Sequence, residues 1–278
     1  MDAPDDANDL RGFHFRRLLR KPATWIATGV AVIATGVAAA VFLGAAIGGA
    51  AAAGVFLISL LVVFAIADSK AEDDFFQTYA GQRGLTLSGR SPLPPATPLL
   101  RKGDDRYAER SLAGPLADGV EGILALYTYE DETTDSEGNT QTNYYRYTVG
   151  LIEVPECAAH LPELFCQHKF GLRSLEKFED AFRRSKQRVK LESEALDKRY
   201  EIFASSDQDQ VWLRRFFSPT FVVWLSEEAP KKFAFELVGG VLCCYVSGHK
   251  ESAAELDTVR AASATVAKRM HEESLETS

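Results

Sequence analysis

From residue 22 to residue 67 the chain contains no Asp, Glu, Lys, Arg or His. That absence argues against a soluble helical hairpin, which turns polar faces to water. It also excludes a cleaved secretory leader, whose apolar core spans only about 7–15 residues. Chemical motifs are missing too. There is no P-loop, no Rossmann glycine fingerprint, no G-x-S-x-G elbow and no H-E-x-x-H helix. This lowers the odds of an enzyme without excluding one, and nothing in the chain calls for a cofactor. Cysteine is scarce, at 4 residues, and its spacing is not that of a secreted disulfide framework. No basic block lies outside the N-terminal arm, and the net charge is −8. A nucleic-acid partner is therefore not expected.

What is present follows from the uncharged stretch. One membrane-crossing helix needs roughly 20 residues. The stretch is long enough for two, placed at 25–47 and 51–67 with Gly48-Gly49 as the turn. Gly36, Ala40, Gly44 and Gly48 recur every four residues on the first segment. Such a stripe suits close helix packing, unless it only reflects abundant Ala and Gly. Arg11, Arg16, Arg17, Arg20 and Lys21 precede the first span. Positive flanks favour the cytoplasmic side, and two spans return the chain there. The expectation is an inner-membrane, multi-pass protein with both termini cytoplasmic and the lipid bilayer as a partner. A protein partner, or a second copy packed through the two spans, is also expected.

Four segments follow: a basic arm over 1–21, a two-span hairpin over 22–68, a helical stalk and Pro-rich connector over 69–98, and a cytoplasmic domain over 99–278. In the arm, Phe13, Phe15, Leu18 and Leu19 among the arginines fit a short interfacial helix or a plain basic flank. The stalk ends at Gly84, a C-cap. Prolines at 92, 94, 95 and 98 make the connector extended.

The domain reads as α+β with antiparallel hairpins. Strand runs over 119–133 and 140–154 flank a turn at 135–139. Residues 155–186 read as helix, 186–205 as strand, and about 207–217 as helix. Ser218-Pro219 restarts a helix, with Ser as cap and Pro in the first turn. A second hairpin, over 232–237 and 241–247, turns at Gly239-Gly240. Residues 252–273 form a closing amphipathic helix carrying Leu256, Val259, Ala262 and Val266 on one face, with Ser252 and Glu255 spaced as a capping box.

Four constellations carry potential chemistry. Cys157, His160, Cys166 and His168 are zinc-ligand types, but their spacing matches no established finger; otherwise they are two buried thiols and two surface histidines. Cys243-Cys244 shares a strand whose neighbouring side chains oppose each other, so core packing is the simpler reading. Glu130, Asp131, Glu132, Asp135 and Glu137 are hard oxygen ligands at a hairpin tip, without the EF-hand order; a solvated turn accounts for them. Tyr127, Tyr129, Tyr144, Tyr145 and Tyr147 either line a ligand groove or pack across the sheet.

The run from Val189 to Phe221 contains V-K-L-E-S, R-Y-E-I-F, an acidic turn, and an arginine-bearing segment ending F-S-P-T-F. It resembles a family of bacterial membrane-anchored proteins of unknown function. The matching positions are Val189, Leu191, Glu192, Ser193, Tyr200, Ile202, Asp207, Arg214 or Arg215, and Ser218-Pro219. The resemblance implies a two-span anchor and an α+β domain, but no catalytic residue. Glu192 and Arg214 are expected to form a structural ion pair. The functional expectation is a non-enzymatic protein-interaction or scaffold module. The alternatives are a small-ligand or lipid sensor, and an enzyme with a dispersed site.

Overall fold

The computed structural model describes residues 29–35, 37, 41, 45–135, 138–169, 186–191, 193–206 and 208–277. The chain divides into two compact units, Met1–Tyr79 and Ala80–Ser278.

The expected membrane hairpin is corrected at its turn. Gly48 and Gly49 lie inside one continuous helix, α1 (Ala45–Arg83). Ile47 precedes the pair and Ala50–Ala53 follow it. A glycine costs a helix only about 1 kcal/mol relative to Ala, so two of them do not break one. Among the described residues, no helix is long and apolar enough to cross a membrane. The inner-membrane, multi-pass placement and the two cytoplasmic termini lose their basis with the hairpin. The basic arm and the small residues Gly36, Ala40 and Gly44 lie outside the described residues. At the far end, α1 stops as expected: Gly84 takes φ 66°, and the Leu85 N–H donates to the Ala80 carbonyl at 2.9 Å.

The unit Ala80–Ser278 is built on one antiparallel sheet. Its strands are β1 (Thr86–Ser88), β2 (Asp105–Ala117), β3 (Val120–Thr134), β4 (Thr140–Glu153), β5 (Glu163–His168), β6 (Lys186–Arg188), β7 (Tyr200–Ser205), β8 (Ala234–Val238) and β9 (Val241–Ser247). Among the described residues they form a nine-stranded sheet in the order β1-β2-β3-β4-β9-β8-β5-β7-β6. The helices are α2 (Glu194–Arg199), α3 (Gln210–Phe216), α4 (Pro219–Val223) and α5 (Ala253–Thr277). Mixed α+β is therefore the observed class.

Local chemistry starts each helix. The side chains of Ser193, Asp209 and Ser218 accept from the backbone N–H of Leu196, Val211 and Phe221. Ser252 supplies its half of the expected capping box, accepting from the Glu255 N–H at 3.4 Å, while its hydroxyl donates to the Glu255 carboxylate at 2.9 Å.

Two expectations for this unit fail. Residues 155–186 were expected to be helical, yet Pro155–Cys157 is a single 3-10 turn and β5 is a strand. A short apolar run such as L-F-C has no period that separates strand from helix. Residues 170–185 lie outside the described residues. Within 186–205, α2 interrupts what read as strand, because Ser193 caps it locally.

Both faces of the central strands are buried. Leu124 through Tyr129 on β3 and Tyr147 through Ile152 on β4 are all inaccessible. Register puts Leu112, Leu124, Gly150, Cys244 and Phe235 on one face, which α5 covers. The opposite face carries Ala125, Tyr127, Tyr129, Tyr147, Cys243 and Tyr245, packed with Leu99 and Leu100. Arg83 grips Asp257 of α5 with two hydrogen bonds, at 2.7 and 2.5 Å.

Gly150 sets the approach of α5. A Cβ there would stand 2.3 Å from Ser263 Oγ and 2.8 Å from its Cβ. Gly150→Ala should therefore lift the helix and cost about 1–3 kcal/mol, read by urea unfolding; an unchanged midpoint would refute this packing.

Glu236 is fully buried on the tyrosine face and accepts from the Leu99 N–H at 3.0 Å. Burial pushes its carboxyl above the ordinary range, against that bond and the nearby Lys102 charge. A raised native pKa means the folded state holds the proton longer than the unfolded state does. The contribution is thus fully present below the ordinary carboxylate pKa and lost as pH rises through the native value. Glu236→Gln should match the parent chain in acid and exceed it at higher pH. Glu236→Ala should lose about 1–3 kcal/mol by orphaning the Leu99 N–H. Thermal unfolding across a pH series measures both.

Candidate functional site

An open cleft of about 760 Å³ lies at one end of the sheet, among residues 94–272. It wraps the end of the sheet: Ile123, Leu151 and Val241 line it from the tyrosine face, and Val120, Ile152 and Val154 from the α5 face. The β2–β3 turn makes one wall, where Gly119 takes φ 73° and Asp118 is exposed. The last turns of α5 make another. Gly122 lets β3 lie close to β4 here: a Cβ there would meet the Leu151 carbonyl oxygen at 2.5 Å.

The rim is charged and unbalanced. Asp118, Glu121, Glu153, Glu156 and Glu272 face two basic groups, Lys268 and His271. His271 Nδ1 lies 2.8 Å from Glu156 Oε1 and so links α5 to the 3-10 turn Pro155–Cys157. Among the described residues lining the cleft, none is Ser, Thr, Cys or Tyr. It thus offers an apolar seat and an acidic rim, but no hydroxyl or thiol nucleophile.

The residues singled out in the sequence lie elsewhere and do not converge. Cys157 is buried, with its sulfur 3.1 Å from Ser274 Oγ. Cys166 is buried opposite Ile202. His168 packs edge-on against Tyr200, and the His160 carbonyl accepts from Gln208 at 2.7 Å. Among the described residues no group of three or more Cys, His, Asp or Glu is placed to hold a metal. Cys243 and Cys244 are free thiols on opposite faces of β9.

The acidic hairpin tip is occupied by its own turn. Asp135 accepts from the Asn139 backbone N–H at 2.9 Å and from its side-chain amide at 3.0 Å. Glu130 accepts from the Tyr107 hydroxyl at 3.0 Å, and Glu137 lies outside the described residues. The tyrosines pack rather than line a groove. Tyr129 stacks on Tyr145 at 4.8 Å and on Tyr147 at 5.9 Å, and Tyr127, Tyr129 and Tyr147 are buried. Tyr144 is exposed. Glu192 and Asp207 lie outside the described residues, so the expected Glu192–Arg214 pair does too; Arg214 itself is exposed on α3.

Sequence reading missed the cleft. Its charged residues are dispersed from 118 to 272 and share no spacing. The one local signal is Lys268 and His271, three apart on a helix, and that is ordinary surface chemistry.

Burial also raises the thiols of Cys157, Cys166, Cys243 and Cys244 above the ordinary range. Native protein should therefore give no fast reaction with a thiol reagent, and all four cysteines should react in denaturant. A rapid native phase would mean that one thiol is accessible and activated.

Comparison of the chain with protein-family models, with curated proteins and with solved structures finds no match, so the cleft is interpreted from its own chemistry.

Proposed function

We propose that the unit Ala80–Ser278 is a non-enzymatic protein-binding module whose cleft seats a cationic segment with apolar side chains. The observation that carries this reading is the rim. Five carboxylates against two basic groups surround apolar walls of Val, Ile and Leu. An apolar seat supplies affinity, while a one-signed rim supplies orientation and on-rate. A negatively charged partner would meet repulsion from the same rim. The lack of a lining hydroxyl or thiol favours binding over covalent chemistry.

One observation favours a small ligand instead. A cleft of about 760 Å³ falls inside the range of roughly 300–1,000 Å³ typical of small-molecule sites. An apolar amine is the chemistry that the rim would admit.

A fluorescent peptide of alternating Leu and Lys tests both readings by anisotropy with the full chain. Binding should weaken as salt rises, because exposed charges are screened beyond about 10 Å at 0.1 M. Reversing Glu121 and Glu153 together to Lys should weaken it at least about tenfold, equivalent to about 1.4 kcal/mol. Lys268→Glu should strengthen it. Affinity indifferent to these reversals would overturn the peptide reading. If the peptide fails and an apolar amine binds in its place, with the same charge dependence, the small-ligand reading stands.

A further inference from the structure

Residues 92–98 cross the tyrosine face as a strap. Four of the seven are proline, so Leu93, Ala96 and Thr97 carry its only backbone donors. A segment so poor in donors cannot extend a sheet ladder. It is fixed at both ends instead. Ser91 and Ala108 exchange backbone bonds at 3.0 and 2.8 Å. At the other end Leu99–Arg101 forms a 3-10 turn, and Glu236 holds its Leu99 N–H. Between these anchors Leu93 packs on the core, and Pro94 and Ala96 line the cleft.

A single side chain clamps two carbonyls of the strap. Arg101 donates from Nε to the Pro95 carbonyl at 2.7 Å and from Nη2 to the Ala96 carbonyl at 3.0 Å. The planar fork of a guanidinium suits two neighbouring acceptors better than the point charge of an ammonium does. Arg106 in turn donates to the Arg101 carbonyl at 2.7 Å. The Ala96 N–H closes back on the Pro94 carbonyl at 2.8 Å, so the strap makes a γ-turn where it meets the cleft. Arg101 is exposed and is not among the residues that line the cleft.

The strap stands on the half of the cleft whose lining residues carry unbalanced charge. Side chains alternate along a strand, so Glu121 shares the face of Ile123, and Glu153 that of Leu151. The two basic lining groups, Lys268 and His271, belong to α5 on the other face. On that α5 half, Glu156 meets His271 at 2.8 Å and Glu272 meets Arg269 at 3.5 Å. On the tyrosine half, Ile123, Leu151, Val241, Pro94 and Ala96 make an apolar seat beside two carboxylates.

We infer, on the reading that the cleft seats a cationic segment, that the cation is recognised on this half and that Arg101 is a positioning residue for it. By holding the Pro95 and Ala96 carbonyls, Arg101 fixes Pro94 and Ala96 as a wall. A basic side chain lays its apolar stem against that wall, with its charged head toward Glu121 and Glu153. The charge of Arg101 itself works against such a ligand. Removing Arg101 therefore has two effects of opposite sign. Lost positioning weakens binding, and lost positive charge strengthens it.

Arg101→Ala in the full chain separates the two. Anisotropy with the Leu-Lys peptide should show binding weakened about fivefold. The midpoint of thermal unfolding should change little, because Arg101 is exposed and the bonds lost stay within the strap. Arg101→Lys keeps the charge, loses the fork and should also weaken binding. Amide exchange followed by NMR reads the strap without any ligand. In Arg101→Ala the Ala96 N–H should exchange faster, and the Leu99 N–H, which Glu236 holds, should not. Unchanged or tighter peptide binding, a loss of affinity that only tracks a fall in the thermal midpoint, or an Ala96 N–H indifferent to Arg101 would each overturn the inference. If the parent chain binds neither cationic peptide nor amine, the reading of the cleft has failed, and the exchange of Ala96 alone upholds or removes Arg101 as the residue that sets its wall.

Discussion

At Gly150 the last helix lies so close to β4 that a methyl group has no room. Much of the larger unit depends on that approach. It lets α5 cover β2, β3, β4 and β9 along one face of the sheet. The helix is held at one end by the Arg83 fork on Asp257 and near the other by His271 against Glu156. Along it Leu256, Val259, Val266 and Met270 are all buried. Because one face is sealed by a helix and the other by the segment around Leu99 and Leu100, the central strands are apolar on both sides. That explains why β3 and β4 read as nearly continuous apolar runs where they cross the core, although their pairing is antiparallel.

Covering two faces carries a cost on the tyrosine side. The chain that covers it brings backbone groups into a dry layer, and Glu236 supplies an acceptor for one of them. A buried carboxyl is an expensive way to satisfy one N–H, and burial accordingly pushes it toward its neutral form. His249 shows the same physics with the opposite sign. It is mostly enclosed, lies 3.2 Å from the Tyr127 carbonyl and 3.3 Å from the Thr128 hydroxyl, and burial lowers its pKa. The two groups therefore tilt stability in opposite directions: Glu236 disfavours high pH, and His249 disfavours low pH.

What could be read in the sequence was local. The β3–β4 hairpin, the β8–β9 hairpin, the caps at Ser218 and Ser252 and the closing helix each carry their signal within a few residues. β5 was misread because six residues with three apolar ones in a row fit either period. β2 was not read at all, since Gly114 and Pro115 sit inside it, at a register irregularity next to the β2–β3 turn. The membrane hairpin failed for a related reason. Gly48-Gly49 looks like punctuation, but the apolar run around it, Ile47 before and Ala50–Ala53 after, keeps the backbone helical. The cleft was out of reach because its charges come from the β2–β3 turn, the end of β4, a 3-10 turn and α5. Only the closed fold brings them together.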